Sequence, residues 1–366
     1  MPFSDVLAQE RAIGALRAAL RRGALHHAYL FGGPPGTGKA QAARLVAQAA
    51  NCEGPSAQPD PSTGSGEGAE ARYREEPCGA CRSCRKIEAD NHPDVHWLRE
   101  ERVMAKAGRW EPKGGRSPSK DIVVDQVRDL VDHRLAMKRF EGRRRFVIVD
   151  PADAMNPQAQ NALLKTLEEP PDDTTLVLVA GSPDALLPTI RSRCLRVSFQ
   201  PIPDALVVAR LEAEGRSPAE ARLAAALAGG SVGRALALDP AELDTLHEAV
   251  RAAAALDPDD ALGWLAFARE RGGDRAQAAD LCELLAVWLR DVLAAQAGGG
   301  SPALLDLAPE TGRAAAALSP AEVVRRRDEV AWTVLALKQN AAPVLALERL
   351  VIRWFAAGAG GAHGRA

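Results

Sequence analysis

Residues 29–40 read YLFGGPPGTGKA, and this run decides the fold of the first half of the chain. An apolar strand ends at Phe31, a glycine-rich turn follows, and helix-forming residues continue from Ala40 to Ala50. Glycines let backbone N–H groups converge on phosphate oxygens at the start of such a helix. The run therefore predicts an ATP-binding phosphate loop in an α/β domain. The predicted nucleotide-binding residues are Gly33, Gly36, Thr37, Gly38 and Lys39, with Asp150 further along the chain.

Short apolar runs recur through the first 200 residues, separated by segments with helical spacing. The runs do not alternate strictly between apolar and polar residues, which is typical of parallel strands covered on both faces. We therefore predict an α/β fold with a parallel five-stranded sheet. The five runs are 28–31, 95–98, 146–149, 176–180 and 195–199.

Strand signals stop after Pro201, and alanine, leucine and arginine with helical spacing continue to the end of the chain. Breaks at Gly229-Gly230, Asp257-Pro258 and 298–300 divide this region. The pattern predicts a small helical domain over 201–240 and a larger one over 241–357. Two low-complexity segments, 53–70 and 105–120, are predicted to be mobile surface loops, and the tail 358–366 is predicted to be disordered, because they bury little apolar surface.

Composition indicates a soluble globular protein, since 46% of residues are hydrophobic and 26% are charged. The 46 lysines and arginines nearly cancel the 48 acidic residues, so the chain as a whole has no basic field that would attract nucleic acid. The first residues lack the features of a signal peptide, and no stretch is long and apolar enough for a membrane helix. We therefore expect a cytoplasmic protein.

Four of the six cysteines lie close together in the sequence, at Cys52, Cys78, Cys81 and Cys84. In a reducing compartment this spacing favours metal binding over disulfides. The alternative is a set of unrelated free thiols. Cys194 and Cys282 stand apart and are expected to be small packed side chains.

Two side chains needed for ATP hydrolysis are missing from the motifs that should carry them. A working phosphate loop has Ser or Thr after its lysine to hold magnesium, whereas this chain has Ala40. A glutamate that polarises the attacking water should follow Asp150, and Pro151 takes its place. The two defects are independent, so we predict that the chain does not hydrolyse ATP by itself. Weak nucleotide binding and a loop that binds nothing remain open alternatives.

Residues 156–171, NPQAQNALLKTLEEPP, followed by Ser192-Arg193-Cys194, resemble the clamp-loader branch of the AAA+ ATPases. Asn156 is placed to cap a helix that begins at Pro157. Further resemblance lies at residues 3–9, 27–31 and 340–349, so it extends over nearly the whole chain.

The resemblance implies a domain order and a set of site residues. Residues 1–200 would form an AAA+ core with an inserted zinc module, 201–240 a helical lid and 241–357 an all-α collar. Arg193 would be an arginine finger that reaches into a neighbouring subunit's nucleotide site, where its forked guanidinium suits phosphate oxygens. Arg234 would take the position of the lid's sensor arginine. The zinc module implies structural Zn²⁺ held by Cys52, Cys78, Cys81 and Cys84.

The function implied is that of a clamp-loader subunit that does not hydrolyse ATP. Its partners would be the gamma/tau ATPase and delta subunits in a hetero-pentameric ring, and through the ring the sliding clamp and primer-template DNA, with no membrane. One alternative is an active motor ATPase of the gamma/tau type, which Ala40 and Pro151 disfavour. Another is a zinc-dependent DNA-binding module, which is weaker because a four-thiolate site is structural by default.

Two features leave their role open at this point. Lys165 and the cluster Arg143-Arg144-Arg145 are available cations, and a solvated face is the expected explanation for both. In the last helix, apolar residues at three- and four-residue steps form one face, which packs either within its own domain or against neighbouring subunits. These residues are Leu347, Leu350, Val351 and Trp354.

Overall fold

The first unit of the molecule is an α/β domain built on a parallel sheet. The computed structural model describes residues 2–54, 73–299 and 302–355, and the chain divides into two units, Met1–Ile202 and Pro203–Ala366. Five parallel strands form one sheet in the order β2-β3-β4-β1-β5. The strands are β1 (Ala28–Gly32), β2 (Val95–Leu98), β3 (Arg145–Val149), β4 (Thr174–Ala180) and β5 (Leu195–Ser198). The predicted fold class is confirmed, with strand bounds within two residues of the apolar runs.

Helices cover both faces of this sheet, which explains why its central strands are apolar throughout. Every residue of β1, β3 and β4 is buried. One face packs against α1 and α2, and the other against α5 and α6. The helices of this unit are α1 (Glu10–Arg21), α2 (Lys39–Asn51), α3 (Arg82–Glu88), α4 (Glu101–Lys106), α5 (Val124–Asp129), α6 (Pro157–Glu168) and α7 (Pro188–Arg191), with a π-helical turn at Leu130–Leu135 after α5.

Helix α6 begins where its sequence predicts. The Asn156 carboxamide oxygen accepts the N–H of Ala159 at 2.8 Å, and Pro157 occupies the first helical position, where no N–H is needed. Ala159, Leu163 and Leu167 on its inner face are buried in the core. The segment that carries the family resemblance is therefore a capped helix packed on the sheet.

The segment 105–120 is more ordered than its composition predicted. It continues from α4 and wraps around the carboxylate of Glu101, which is fully buried. The Arg116 guanidinium donates to both carboxylate oxygens of Glu101 at 2.6 and 2.7 Å, and Trp110 Nε1 and the N–H of Ser119 donate to it as well. Glu101 is buried whereas Arg116 is 42% exposed, so this pair attaches the segment to α4 although the segment lacks an apolar core. The other predicted mobile regions, 55–70 and 358–366, lie outside the described residues.

Arg144 and Arg145 are buried, which corrects the expectation of a solvated cluster. Arg144 donates to the Thr175 hydroxyl at 2.6 Å, the Tyr73 hydroxyl at 3.2 Å and two backbone carbonyls. Arg145 donates to the carbonyls of Leu135 and Met137 at 2.9 and 2.6 Å. Neutral oxygens accept most of the hydrogen bonds of these two buried guanidinium groups, Arg144 also lies 3.9 Å from an Asp173 carboxylate oxygen, and Arg145 Nε has no hydrogen-bond partner among the described residues. These two arginines tie the start of β3 to the surrounding loops.

In the described part of the second unit, every regular element is helical, as predicted. Several of its helices begin at side-chain caps, among them Ser217, Asp274 and Ser319. Helix α13 is the longest and packs against α11, α14 and α15. The helices are α8 (Asp204–Ala213), α9 (Pro218–Ala228), α10 (Val232–Ala237), α11 (Pro240–Ala254), α12 (Ala261–Arg271), α13 (Arg275–Gln296), α14 (Ala308–Ala317), α15 (Pro320–Lys338) and α16 (Pro343–Phe355).

The apolar face of the last helix packs inside its own unit. Leu347, Leu350, Val351 and Trp354 are all buried, and α16 lies against α12 and α15. Trp354 Nε1 donates to the carbonyl of Arg326 at 3.2 Å, which satisfies the one polar atom of this face. Among the described residues, none of the helices is long and apolar enough to cross a lipid bilayer.

Candidate functional site

The phosphate loop connects β1 to α2, and its backbone requires glycine. Gly36 and Gly38 have φ angles of 70° and 87°, in the left-handed region that disfavours a side chain. A Cβ on Gly33 would lie 2.2 Å from the carbonyl oxygen of Phe199, so any side chain there would displace the neighbouring backbone. The loop therefore has the strand, tight turn and helix start that its sequence predicts.

Lys39 is folded back onto its own loop. Its amine donates to the carbonyl oxygen of Gly33 at 2.6 Å and to that of Pro34, and the side chain is buried. The Thr37 hydroxyl donates to the same Pro34 carbonyl at 2.9 Å. Burial lowers the pKa of Lys39, an effect that nearby Asp150 and Asp153 partly offset. The ammonium has three N–H donors, so one remains for a phosphate beside the two carbonyls.

The end of β3 supplies the second half of the predicted nucleotide site. Asp150 follows this strand, and its carboxylate and the Lys39 amine are near enough for each charge to act on the pKa of the other. Burial raises the pKa of Asp150, although Arg99 and Lys39 act in the opposite direction. Ala40 packs its methyl group against the core, and Pro151 offers no oxygen beyond its carbonyl. Neither side chain can contribute to a magnesium shell or polarise water.

Asp153 also lies at this site, although no role was predicted for it from the sequence. Its carboxylate accepts the N–H groups of Gly181 and Ser182 at 3.3 and 2.9 Å. These residues follow β4, so Asp153 fixes the loop after β4 relative to the loop after β3. Both loops lie at the carboxyl ends of the parallel strands, where ligands bind in open α/β sheets.

Arg193 lies elsewhere on the core, between α7 and β5. Its guanidinium is 35% exposed and forms an ion pair with Glu168 at the end of α6, with 2.6 Å between Nη2 and Oε1. The same side chain donates to the carbonyl of Thr189 at 2.9 Å. The helix and the arginine that carry the family resemblance are therefore in direct contact.

Arg234 belongs to the second unit and is already paired there. Its Nη2 lies 2.9 Å from Asp280 and 2.5 Å from Glu283, both on α13. Burial raises the pKa of Asp280, and Arg234 opposes that shift. Two carboxylates thus hold the guanidinium predicted to take the sensor position.

The structure brings the four predicted metal ligands together. The sulfur atoms of Cys52, Cys78, Cys81 and Cys84 all lie within 4.8 Å of one another. Four thiolates around Zn²⁺, each about 2.3 Å from the ion, would lie slightly under 4 Å apart, so the cluster needs little adjustment to hold such an ion. Backbone N–H groups of Cys78, Cys81 and Cys84 approach neighbouring sulfur atoms at 3.2 to 3.4 Å. Burial opposes ionisation of Cys78, but the backbone N–H groups of Ala80 and Cys81 and the thiols of Cys52 and Cys81 lower its pKa to about 6.

The cluster is attached to the sheet domain through α2. Cys52 follows the last residue of that helix, and Gln48 donates to the carbonyl of Cys84 at 2.9 Å. A Cβ on Gly54 would lie 2.9 Å from Cys78 Sγ, so glycine is what lets the chain pass the cluster so closely. This arrangement can hold a metal ion with no open coordination position, which suits a structural role.

A family model described as DNA polymerase III, delta subunit, matches residues 8–203, more than half of the chain. The chain belongs to this family. The match includes the phosphate loop, the cysteine cluster and Arg193 of this delta-family protein. Membership of the clamp-loader branch, predicted from residues 156–171 and 192–194, is thereby confirmed.

Curated relatives of this delta-family chain include two delta prime subunits. DNA polymerase III subunit delta' of Bacillus subtilis is 35% identical over 218 residues, which are 59% of this chain and 55% of the relative. That of Pseudomonas aeruginosa is 40% identical over 210 residues, 56% of this chain and 53% of the relative. The chain thus spans about half the length of these relatives. DNA polymerase III subunit tau of Escherichia coli is 31% identical over 288 residues, 75% of this chain and 39% of that subunit.

Solved structures similar to the delta-family chain are distant. A gamma-subunit-related protein from Thermotoga maritima has a TM-score of 0.39 at 17% identity, with 94% of this chain and 99% of that chain covered. The Aeropyrum pernix Orc1 protein in complex with DNA has a TM-score of 0.41 at 16% identity, with 96% and 94% covered. Membership of the delta family rests on the sequence matches.

Proposed function

We propose that this delta-family chain is a clamp-loader subunit of the bacterial replicative DNA polymerase that does not hydrolyse ATP itself. It would supply Arg193 to the ATP site of a neighbouring subunit and so help load the sliding clamp on primed DNA. The proposal rests on one observation. The same core has a nucleotide site that lacks two groups needed for hydrolysis, at Ala40 and Pro151, and has Arg193 in the Ser-Arg-Cys element of the family.

The chemistry at the phosphate loop supports the absence of hydrolysis. Ala40 contributes only a methyl group where magnesium needs a hydroxyl, and Pro151 contributes no carboxylate. The buried amine of Lys39 already donates to two loop carbonyls, which leaves one of its three donors for a phosphate of ATP. We therefore propose weak ATP binding at most, through Gly33, Gly36, Thr37, Gly38, Lys39 and Asp150, with Arg234 as the family's sensor position.

The energetics of Arg193 support a role in trans. Its pair with Glu168 is partly exposed on both sides, at 35% and 49%, and surface pairs of this kind contribute about 0 to 1 kcal/mol. An arginine finger can accelerate hydrolysis by a factor on the order of 10³ to 10⁵, because its charge stabilises the transition state of phosphoryl transfer. The free energy lost when Arg193 leaves Glu168 for a neighbour's phosphate is therefore small compared with the stabilisation of the transition state.

The partners and domain roles follow from the same proposal. The chain would join gamma/tau ATPase and delta subunits in a hetero-pentameric ring that holds the clamp and primer-template DNA. Residues 1–200 would serve as the core, 201–240 as the lid and 241–357 as the collar that assembles the ring. The cysteine cluster would hold one structural Zn²⁺, since four thiolates are the ligands that a closed zinc site uses.

The second candidate is an active motor of the gamma/tau type. It is favoured by the match to the Escherichia coli tau subunit, which covers 75% of this chain. Ala40 and Pro151 disfavour it, because the motor must hold magnesium and polarise water in its own site.

The test is steady-state ATP hydrolysis by the partner ATPase and delta subunits with clamp and primed DNA. The wild-type chain is expected to stimulate hydrolysis, and Arg193→Ala is expected to abolish at least about 90% of the stimulation, since a finger contributes several kcal/mol. Arg193→Lys should fail almost as badly, because an ammonium cannot fork two oxygens.

Two matched variants control this experiment. Arg191→Ala removes an arginine of the same turn that pairs with exposed Asp184, and it should stimulate like the wild type. Glu168→Gln frees Arg193 without removing it and should also retain stimulation. ATP hydrolysis by the chain alone would overturn the proposal in favour of the motor, as would full stimulation by Arg193→Ala.

A further inference from the structure

We infer that residues 136–143, named here the Phe140 loop, form a contact site for single-stranded DNA. The loop joins the π-helical turn at Leu130–Leu135 to β3, at the amino ends of the strands and away from the phosphate loop. It presents one exposed aromatic ring together with cationic side chains. The buried carboxylate of Asp94 holds the backbone of the loop. This inference does not depend on the role proposed for Arg193.

The backbone of the Phe140 loop is fixed by a buried carboxylate. Asp94 is 2% exposed and accepts the N–H groups of Phe140, Glu141 and Gly142 at 2.8, 2.8 and 2.7 Å. On the other side, buried Arg145 donates to the carbonyls before and within the loop. The loop conformation is therefore set before any partner arrives, which lowers the ordering cost of binding.

The loop exposes its two large apolar side chains. Phe140 is 82% exposed and Met137 is 69% exposed, among the highest values for large hydrophobic residues in the described chain. The hydrogen bonds of the loop hold its backbone and leave the ring itself in solvent. An exposed ring on a fixed backbone is the arrangement on which unpaired bases stack.

Cationic side chains precede Phe140 directly in the sequence of the loop. Lys138 and Arg139 lie in the loop and are exposed, and Arg82 on α3 acts electrostatically on Glu141 of the same loop. The acidic side chains that contact the loop are already engaged, since Glu141 pairs with Lys86 at 2.6 Å and Asp173 with Arg139 at 3.0 Å. Lys138 has no ion-pair partner among the residues that the structure describes. The surplus charge matches a polyanion.

The shape favours a single strand over the other polyanions and over a peptide. A duplex keeps its bases stacked on each other, so a protruding phenylalanine reaches a base face readily only where the strand is unpaired. Extended peptides are recognised in grooves or along strand edges, whereas Phe140 and Met137 project from the surface. Stacking by one ring with a phosphate contact by Lys138 predicts binding without sequence preference.

The test is fluorescence anisotropy of a labelled mixed-sequence oligonucleotide of about 20 nucleotides, longer than the roughly 4–16 nucleotides that a single fold usually occupies. It is titrated with the full chain, without partner subunits, at several salt concentrations. Phe140→Ala should weaken binding at least about five-fold, while Phe140→Trp should stay within about two-fold of wild type, because a larger ring still stacks. Lys138→Ala should reduce the slope of log affinity against log salt by about 0.7.

The control is Leu262→Ala, which removes an equally exposed side chain, 80% exposed, from the second unit and should leave binding unchanged. Circular dichroism of each variant checks folding. The inference is overturned if the wild-type chain fails to bind at about 100 µM and low salt, a limit at the weak end of non-specific binding. It is also overturned if Phe140→Ala binds like wild type, if duplex binds as well as the single strand, or if Phe140→Ala impairs only assembly with partner subunits.

Discussion

Lys39 and Ala40 are adjacent in the phosphate loop and limit its binding of ATP and magnesium in different ways. The amine of Lys39 is bound by two carbonyls of its own loop, which is a property of the folded chain. Ala40 has no oxygen, which is a property of the residue itself. A hydroxyl at this position would restore one magnesium ligand but would leave the lysine's carbonyl partners in place.

We predict that Ala40→Ser strengthens magnesium-dependent ATP binding by about five- to ten-fold, the effect of one added ligand worth roughly 1 kcal/mol. The side chain is half-buried at the start of α2, so a small hydroxyl fits without disturbing the core. The measurement is titration with a fluorescent ATP analogue with and without EDTA. Lys39→Ala serves as the control for binding at the loop, and an Ala40→Ser variant that responds to magnesium no more than wild type would contradict the prediction.

The short helix α3 is part of the cysteine cluster and connects it to the core of the first unit. Helix α3 spans only Arg82–Glu88, carries Cys84 and buries Ile87 in the core beside α2. Such a short helix is not stable alone, so its stability depends on its packing and on the hydrogen bonds around the four sulfur atoms.

We predict one tightly bound zinc per chain, lost in Cys84→Ser. The expected consequence is a lower melting temperature and faster proteolysis near α3, because the binding free energy of a structural zinc is also folding free energy. The measurement is zinc content by atomic absorption, with thermal unfolding before and after chelation. Cys282→Ala is the control, since burial raises the pKa of Cys282 to about 12 and keeps it an inert thiol outside the cluster. Wild-type protein purified without zinc and unaffected by chelators would exclude a zinc module.

The Phe140 loop depends on Asp94 at the level of its backbone. Burial acts to raise the pKa of Asp94, but the three backbone N–H bonds outweigh it and hold the pKa below its usual value. A carboxyl with a lowered pKa in the folded state stabilises the fold above its unfolded pKa, about 3.9, and loses that contribution as pH falls through the folded value.

We predict that amide protection at Phe140, Glu141 and Gly142 is constant from neutral pH to about pH 5 and falls below about pH 4. Asp94→Asn should lower this protection already at neutral pH by roughly 2 kcal/mol, or about 30-fold in exchange rate, since a neutral amide oxygen replaces a charged acceptor. Hydrogen–deuterium exchange measures both effects, with exposed Asp172→Asn as the matched control. Equal protection in Asp94→Asn and wild type would show that Asp94 does not hold the loop.

At the scale of the whole molecule, the chain consists of two units with separate cores. The first surrounds a five-stranded sheet, and the second is built around the long helix α13. Each buries large apolar side chains of its own, such as Phe31 and Phe146 in the first unit and Trp288 and Trp354 in the second. Units of this kind are expected to fold independently.

We predict that residues 203–366, expressed alone, give a helical circular dichroism spectrum and a cooperative thermal transition. The matching fragment 1–202 should retain the sheet and the cysteine cluster. Thermal scans of both fragments beside the full chain provide the measurement. A second fragment that is unfolded at low temperature would show that its core depends on the first unit.

The sequence by itself determined the fold class and the family. The apolar runs and the glycine loop predict the parallel sheet because strand burial and loop geometry are local properties, read from neighbouring residues. The cap at Asn156 and the missing groups at Ala40 and Pro151 are also local, and they follow from residue chemistry alone. The spacing of the cysteines predicted their proximity, which the structure confirms.

Only the tertiary structure decided how isolated charges are used. Arg144 contacts Tyr73 and Leu25. Asp94 holds a loop more than forty residues away in the sequence, and Glu101 binds side chains and backbone of the segment 105–120. No spacing rule links such distant residues, because their contacts exist only after strands and helices have packed. The same holds for the pair of Arg193 and Glu168, which joins the end of one helix to the turn before β5. Composition can count charges, but burial and geometry decide which of them are structural and which face a partner.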